Sequence, residues 1–271
     1  GIVQFNDGSW WALFMQDFHS IGRTVCLMPI TWVDCWPMIG LKGNLGRAPR
    51  TWYKPDTQLG CYAIGEEAQP IRAPYERSED FNGKTLGRIW QWNHNPDDKM
   101  WSLKGGKQRL NAMPAEQLMW ARNTLTQRVI GPKSIATVEV YLKGLKDGDV
   151  AGLGNINVPC SWLGIVKEGK QLTLRCFEQL TNDTVDISLS SLPSPLSSKI
   201  YLRMIGDYDN DQAQYAWSLD GETFQTIGRM KPLSYQLITF QGSRHALFAF
   251  NVKGRNGGYI SRSEERFSRN A

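Results

Sequence analysis

Ala213–Gly228 reads AQYAWSLDGETFQTIG, and this stretch decides the fold class. Two aromatic-rich runs, QYAWSL and TFQTIG, flank Asp220-Gly221. Asp-Gly suits the positive φ angles of a tight hairpin turn, so two antiparallel strands are expected here. Further along, His245–Val252 (HALFAFNV) is a near-continuous apolar run, the pattern of a buried strand. Ser134–Leu142 alternates Ile135, Thr137 and Glu139 against Ala136, Val138 and Val140. Lys170–Phe177 carries Leu172 and Leu174 on one face, and Lys199–Met204 contains IYLRM. Many short strands broken by Gly, Asn, Asp and Pro indicate a sandwich or jelly roll. One segment disagrees. Ala115–Val129 sets Leu118, Arg122, Leu125 and Val129 at helical spacing, which by itself predicts a helix.

The first 55 residues differ in character. They hold Trp10, Trp11, Trp32, Trp36 and Trp52, with Pro29, Pro37, Pro49 and Pro55. Ile2–Phe5 and Ser9–Met15 read as strands joined through Asn6-Asp7-Gly8, and Thr24–Met28 as a third. Three strands do not build an independent core. Asp56–Glu76, with four acids, two prolines and little periodicity, reads as a linker, which puts the boundary near Arg77. Ser188–Ser198 reads as a loop.

The chain has 271 residues, 31 Lys and Arg against 26 Asp and Glu, and 41% hydrophobic residues. That composition buries a core and is not that of a disordered chain. The net charge of +5 is spread out, without the basic runs that track a phosphate backbone, so no nucleic-acid partner is expected. No apolar run approaches the roughly 18 residues of a membrane helix, and no membrane partner is expected. Gly1 is not a natural start, and the chain reads as cut. Five cysteines are an odd number without CxxC spacing, which argues for free thiols. Cys160 and Cys176 fall on neighbouring expected strands.

No HExxH, GxSxG or GxxxxGK[ST] occurs, and His19, His94 and His245 lie far apart in sequence. Gly105-Gly106 and Gly257-Gly258 read as turns. Trp90-Gln-Trp92-Asn-His94-Asn95 sets aromatics beside amides, the combination that stacks on a sugar ring and bonds its hydroxyls. Composition favours the plainer role, with alternate tryptophans in the core and His94 capping a turn. Asp207-Tyr-Asp209-Asn-Asp211 offers oxygen ligands for calcium but lacks an EF-hand loop, and a solvated turn is preferred.

Several segments together resemble glycoside hydrolase family 43. Gly1-Ile-Val-Gln-Phe5, Trp10-Trp11, Ile21-Gly-Arg23 and Pro29-Ile-Thr-Trp-Val-Asp34-Cys-Trp36-Pro37 are similar to the closing segment of that family's five-bladed propeller. Asp80-Phe-Asn-Gly83, Trp90–Pro96, Ala121–Arg128 and His245–Phe250 are similar to the sandwich appended to its β-xylosidases and α-L-arabinofuranosidases. The resemblance implies an all-β chain, a concanavalin-like jelly-roll β-sandwich preceded by a short β-propeller remnant. Residues 1–55 would be the remnant, 56–76 the linker and 77–271 the sandwich, native-like to about 258. It also replaces the helix over Ala115–Val129 with strand and loop.

The family's acid and base lie in earlier blades, so no catalytic residue is expected here. The chain then reads as the C-terminal fragment of an inverting xylan- or arabinan-degrading enzyme. Alternatives are a stand-alone carbohydrate-binding sandwich, or an active hydrolase with an unforeseen site using Asp7, Asp17, Asp34 or the sandwich acids. The expected partners are xylan- or arabinan-derived saccharides, with Arg23, Trp92 and His94 as candidate substrate-binding residues. Arg23 matches a sugar-reaching arginine of the family; its plainer role is a surface pair with Asp17 or Asp34. No cofactor is required, and a structural calcium would take Asp80 as a ligand. Cys35 stands where the family has Gly, which strains the turn if it needs φ > 0. The segment after Gly258 is charged and non-alternating and departs from the family's closing strand. A missing strand would leave an open edge, a route to a homo-oligomer.

Overall fold

The computed structural model describes residues 1–49, 77–191, 198–234, 236, 239 and 241–268. The expected linker, Trp52 and most of the Ser188–Ser198 loop lie outside the described residues. Two units are distinguished. One is Gly1–Phe18 with Arg23–Pro74; the other is His19–Gly22 with Tyr75–Ala271.

The first unit contains β1 (Ile2–Gln4), β2 (Trp10–Phe18), β3 (Gly22–Val33, from Arg23 onward) and β4 (Trp36–Ile39), in the order β1-β2-β3-β4. The sequence pattern had shown three strands; the fourth begins at Trp36-Pro37. Pro37 belongs to β4, the strand at the end of that order, where a missing N–H is tolerated. The first hairpin turns at Phe5–Ser9, where Gly8 takes φ 82° and Asp7 accepts the Ser9 amide at 2.8 Å. Its partner hairpin turns on Asp34 and Cys35 alone, with φ 47° and 67°, between the paired Val33 and Trp36. Cys35 therefore holds the left-handed conformation that glycine adopts without strain.

The second unit begins with β5 (Gln91–Trp92), β6 (Trp101–Leu103), β7 (Gln108–Asn111), β8 (Met113–Pro114), β9 (Leu125–Arg128) and β10 (Lys133–Tyr141). It continues through β11 (Asp149–Ile156), β12 (Ser161–Glu168), β13 (Gln171–Glu178), β14 (Asp183–Ser188) and β15 (Lys199–Asp207). β16 (Gln212–Ser218), β17 (Gln225–Pro232), β18 (Arg244–Asn251) and β19 (Tyr259–Ser268) complete it. A seven-stranded sheet runs β17-β16-β15-β10-β19-β7-β6, and the other runs β14-β13-β12-β11-β18-β9-β5, with β8 added beside β18. The pairing is antiparallel except between β8 and β18.

Alternation does the sorting. Ala136, Val138 and Val140 of β10 enter the core while Thr137, Glu139 and Tyr141 stay half-exposed. β18 is buried on both faces, as its apolar run predicts. Leu247 and Ala249 join the main core, whereas Ala246, Phe248 and Phe250 join a second cluster with Trp162 and Leu118. Gly164 on β12 leaves room for the Trp162 ring of that second cluster. A Cβ there would lie 2.8 Å from the Ala151 oxygen and 3.3 Å from the Trp162 ring.

Two expectations change, and the conflict over Ala115–Val129 resolves in favour of strand and loop. The Asp220-Gly221 hairpin exists, but its loop spans six residues, Leu219–Phe224. Asp220 Oδ1 accepts the Ser218 hydroxyl at 2.6 Å and the Glu222 and Thr223 amides at 2.8 Å, which stabilises the wider turn. No α-helix occurs among the described residues, so Ala115–Val129 is not helical. It divides into a 3-10 turn at Leu118–Trp120 and strand β9, because Leu118 and Leu125 enter different clusters. The segment after Gly258 does not leave an open edge at this place. It is β19, paired with β10 on one side and β7 on the other.

Candidate functional site

The sugar-recognition candidate Trp90–Asn95 lies on β5 and the loop after it. β5 pairs with β9, and the Thr126 hydroxyl donates to the Gln91 carbonyl at 2.9 Å. Trp90 is buried and stacks on Phe81, with ring centroids 5.9 Å apart. Trp92 is half-buried against the core, 5.2 Å from the Trp101 ring. Alternate tryptophans thus take the packing role that composition favours.

Beyond Trp92 the loop is laced to residues 119–124. The Asn93 amide donates to the Thr124 carbonyl at 2.9 Å. His94 Nε2 meets the Met119 carbonyl at 2.8 Å; a carbonyl only accepts, so Nε2 carries the hydrogen. Arg122 Nε donates to the Asn95 carbonyl at 2.9 Å. The Asn123 side chain accepts the Asp97 amide at 2.8 Å and donates to the Asp97 carbonyl at 2.9 Å. Asn123 sits at φ 59°, a conformation asparagine tolerates better than most residues.

This lacing fixes a turn that carries Trp120, which is 65% exposed. Met119, whose carbonyl holds His94, directly precedes it. The arrangement leaves the flat, largely apolar ring of Trp120 open to solvent. Sequence reasoning missed Trp120 and Arg122. Helical spacing had absorbed Arg122, and nothing in that spacing singled out Trp120.

The other candidates lie elsewhere. Arg23 belongs to the first unit, where its Nε donates to Asp17 Oδ1 at 3.2 Å. Asp7 caps its own hairpin and Asp34 forms part of a turn. Asp80 is exposed and accepts the Asn82 backbone and side-chain nitrogens at 3.0 and 2.8 Å. These bonds hold its carboxyl below the usual range. Calcium takes six to eight oxygen ligands. Among the described residues no group of three or more His, Cys, Asp or Glu could hold a metal ion.

Asp207–Asp211 is a turn. Asp207 accepts from Asn210 and pairs with Lys133, while Asp211 accepts the Ser20 amide at 2.9 Å. Cys160 and Cys176 are free thiols that join different apolar clusters. Burial pushes their pKa values up to about 12 and about 11, so neither is a reactive thiolate at neutral pH. Among the described residues no helix is long and apolar enough to cross a membrane.

Residues 78–261 match the β-xylosidase C-terminal concanavalin A-like domain. The chain belongs to glycoside hydrolase family 43. A putative β-xylosidase of Xylanibacter ruminicola is 32% identical, over 84% of this chain and 40% of that protein. A β-xylosidase of Formosa agariphila is 30% identical, over 96% of this chain and 45% of that protein. The solved bifunctional GH43-CE protein of Bacteroides eggerthii superposes with a TM-score of 0.83 at 29% identity, covering 100% of this chain and 34% of its own. This family 43 chain therefore spans less than half the length of each of these relatives. Its laced loop pair, residues 93–97 and 119–124, lies within the matched domain.

Proposed function

We propose that the chain is the C-terminal part of a glycosidase acting on xylan- or arabinan-derived saccharides, with catalytic carboxylates supplied by other parts of the enzyme. The match over residues 78–261 carries this reading, and the names of the relatives supply the substrate class. The first unit supports it. Leu13, Met15, Val25, Leu27 and Trp36 are exposed on a four-stranded sheet, the strand number of a propeller blade. Such a sheet is completed by neighbouring blades. Residues 1–55 are the propeller remnant in this reading, and the segment from Arg77 is the accessory sandwich.

Within the sandwich, the loop pair bearing His94 and Trp120 is the saccharide-contacting surface. Trp120 supplies the stacking face, and Trp92 supports the loop from behind. Purified chain should not hydrolyse aryl β-xyloside or aryl α-arabinofuranoside. Turnover that co-purifies with the chain would place an acid and base within these residues and overturn the proposal. Titration with xylo- and arabino-oligosaccharides tests the accessory role separately.

A further inference from the structure

A polar row crosses the inner face of the eight-stranded sheet at one end of the sandwich. Gln127 of β9, His245 of β18, Asn155 of β11, Ser161 of β12, Glu178 of β13 and Asp183 of β14 are successive cross-strand partners. The adjoining row on the same face is apolar: Leu125, Leu247, Leu153, Leu163, Cys176 and Val185. The polar row therefore marks where the core ends.

Side chains of the facing sheet bond to it. The Ser134 hydroxyl lies 3.2 Å from His245 Nε2 and 3.1 Å from the Tyr208 hydroxyl. The Tyr215 hydroxyl accepts the Asn155 amide at 3.1 Å and donates to the Ser161 carbonyl at 2.8 Å. Lys231 Nζ donates to Asp183 at 2.8 Å. These bonds leave a remainder. Both side-chain atoms of Asn155 are buried and without a protein partner, and so are Gln127 Oε1 and the Ser243 and Ser20 hydroxyls. Asn155 is 0% exposed. Ser243 lies just before β18, two residues ahead of His245, and its amide donates to the Ser20 carbonyl at 2.7 Å.

Buried amides and hydroxyls are nearly always hydrogen-bonded, to protein or to ordered water. The charges at this end already have partners. Lys231 pairs with Asp183, Glu178 accepts the Thr181 hydroxyl at 2.7 Å, and burial keeps His245 neutral by lowering its pKa to about 3. The unpaired remainder is neutral and contains both donors and acceptors, which is the chemistry that water satisfies. Asn157, two residues past Asn155, ties the strand end to Ser234 and Thr239.

We propose that this end of the sandwich holds ordered internal water bonded to the Asn155 side chain, with Gln127, Ser243 and Ser20 offering further water positions along the same end. The inference is independent of the saccharide reading. Magnetic relaxation dispersion on the full chain counts long-lived internal waters, and Asn155→Leu should lower that count by at least one. Asn155→Ser, which keeps a polar group and enlarges the site, should leave the count unchanged or raise it. Equal counts in wild type and Asn155→Leu would overturn the proposal. If the leucine variant does not fold, a crystal structure of the wild type at atomic resolution decides. Water density bonded to the Asn155 amide supports the site; a dry amide with direct protein partners, or a metal cation in its place, overturns it.

Discussion

Asp149 closes the turn before β11 onto Gly258. Its Oδ2 accepts the Gly258 amide at 2.9 Å and the Lys146 amide at 2.7 Å, while Oδ1 accepts Asn251 Nδ2 at 2.8 Å. Asp149 is fully buried, so its side-chain oxygens rely on these donors in place of water. One carboxylate thereby joins β11, β18 and the approach to β19. Asp149→Ala would leave the Gly258 and Lys146 amides without this acceptor and Asn251 Nδ2 with only the Asp147 carbonyl, and should cost about 3 kcal/mol. Urea unfolding checks this; a loss below about 1 kcal/mol would contradict it.

Cys35→Gly should stabilise the Asp34-Cys35 turn, because Cys35 holds φ 67°. The expected gain is about 1 kcal/mol. Slower amide exchange at Val33 and Trp36 would show it, and unchanged or faster exchange would count against it.

His245 makes stability pH-dependent. Burial lowers its folded pKa to about 3, while the unfolded side chain titrates near 6.5. Between those values the unfolded chain binds the extra proton, so stability falls as pH falls. This one group contributes a slope of about 1.4 kcal/mol per pH unit. Burial pushes Glu139 up, but bonds from Lys199, Ser263, Tyr141 and Tyr201 outweigh it and hold its pKa at about 2. Its contribution has the same sign but fades only below its ordinary range, near pH 4.5. Denaturation between pH 5 and pH 6, roughly the span where histidine titrates and carboxylates do not, reads this slope. His245→Gln should flatten the slope there, and an unchanged slope would remove the assignment.

Trp92 and Trp120 should separate stability from binding. Trp92→Ala removes a ring packed on Trp101 and should cost about 3 kcal/mol. Trp120→Ala removes an exposed ring and should change stability by less than about 0.5 kcal/mol. If the loop contacts saccharide, Trp120→Ala weakens xylo- or arabino-oligosaccharide binding in calorimetric titration. Wild-type affinity in that variant would rule out stacking at this position.

Strands with strict alternation were legible. β10 and β15 announce themselves because one face is core and the other wet. β18 was legible for the opposite reason, since both its faces are buried. Ala115–Val129 was not legible from spacing. Leu118 and Leu125 serve two different clusters, and no linear period encodes that division. The resemblance corrected the secondary structure but left Trp120 unnoticed, because its exposure depends on the His94–Met119 and Arg122–Asn95 bonds between two loops. The inter-sheet polar row was invisible for a similar reason. Its six members come from six strands, and only register aligns them.

The position of β19 bears on how the chain is made. In the hydrogen-bonded order of its sheet, β19 stands between β10 and β7. β7 emerges from the ribosome before β10, yet the strand it pairs with, β19, is the last described. Most of the domain must be synthesised before that pairing begins, which favours slow, non-local assembly. A nascent chain paused before Tyr259 carries two open edges, β10 and β7, each a template for a neighbouring chain. Protection of those edges during synthesis, more than the finished sandwich's stability, would then govern its yield.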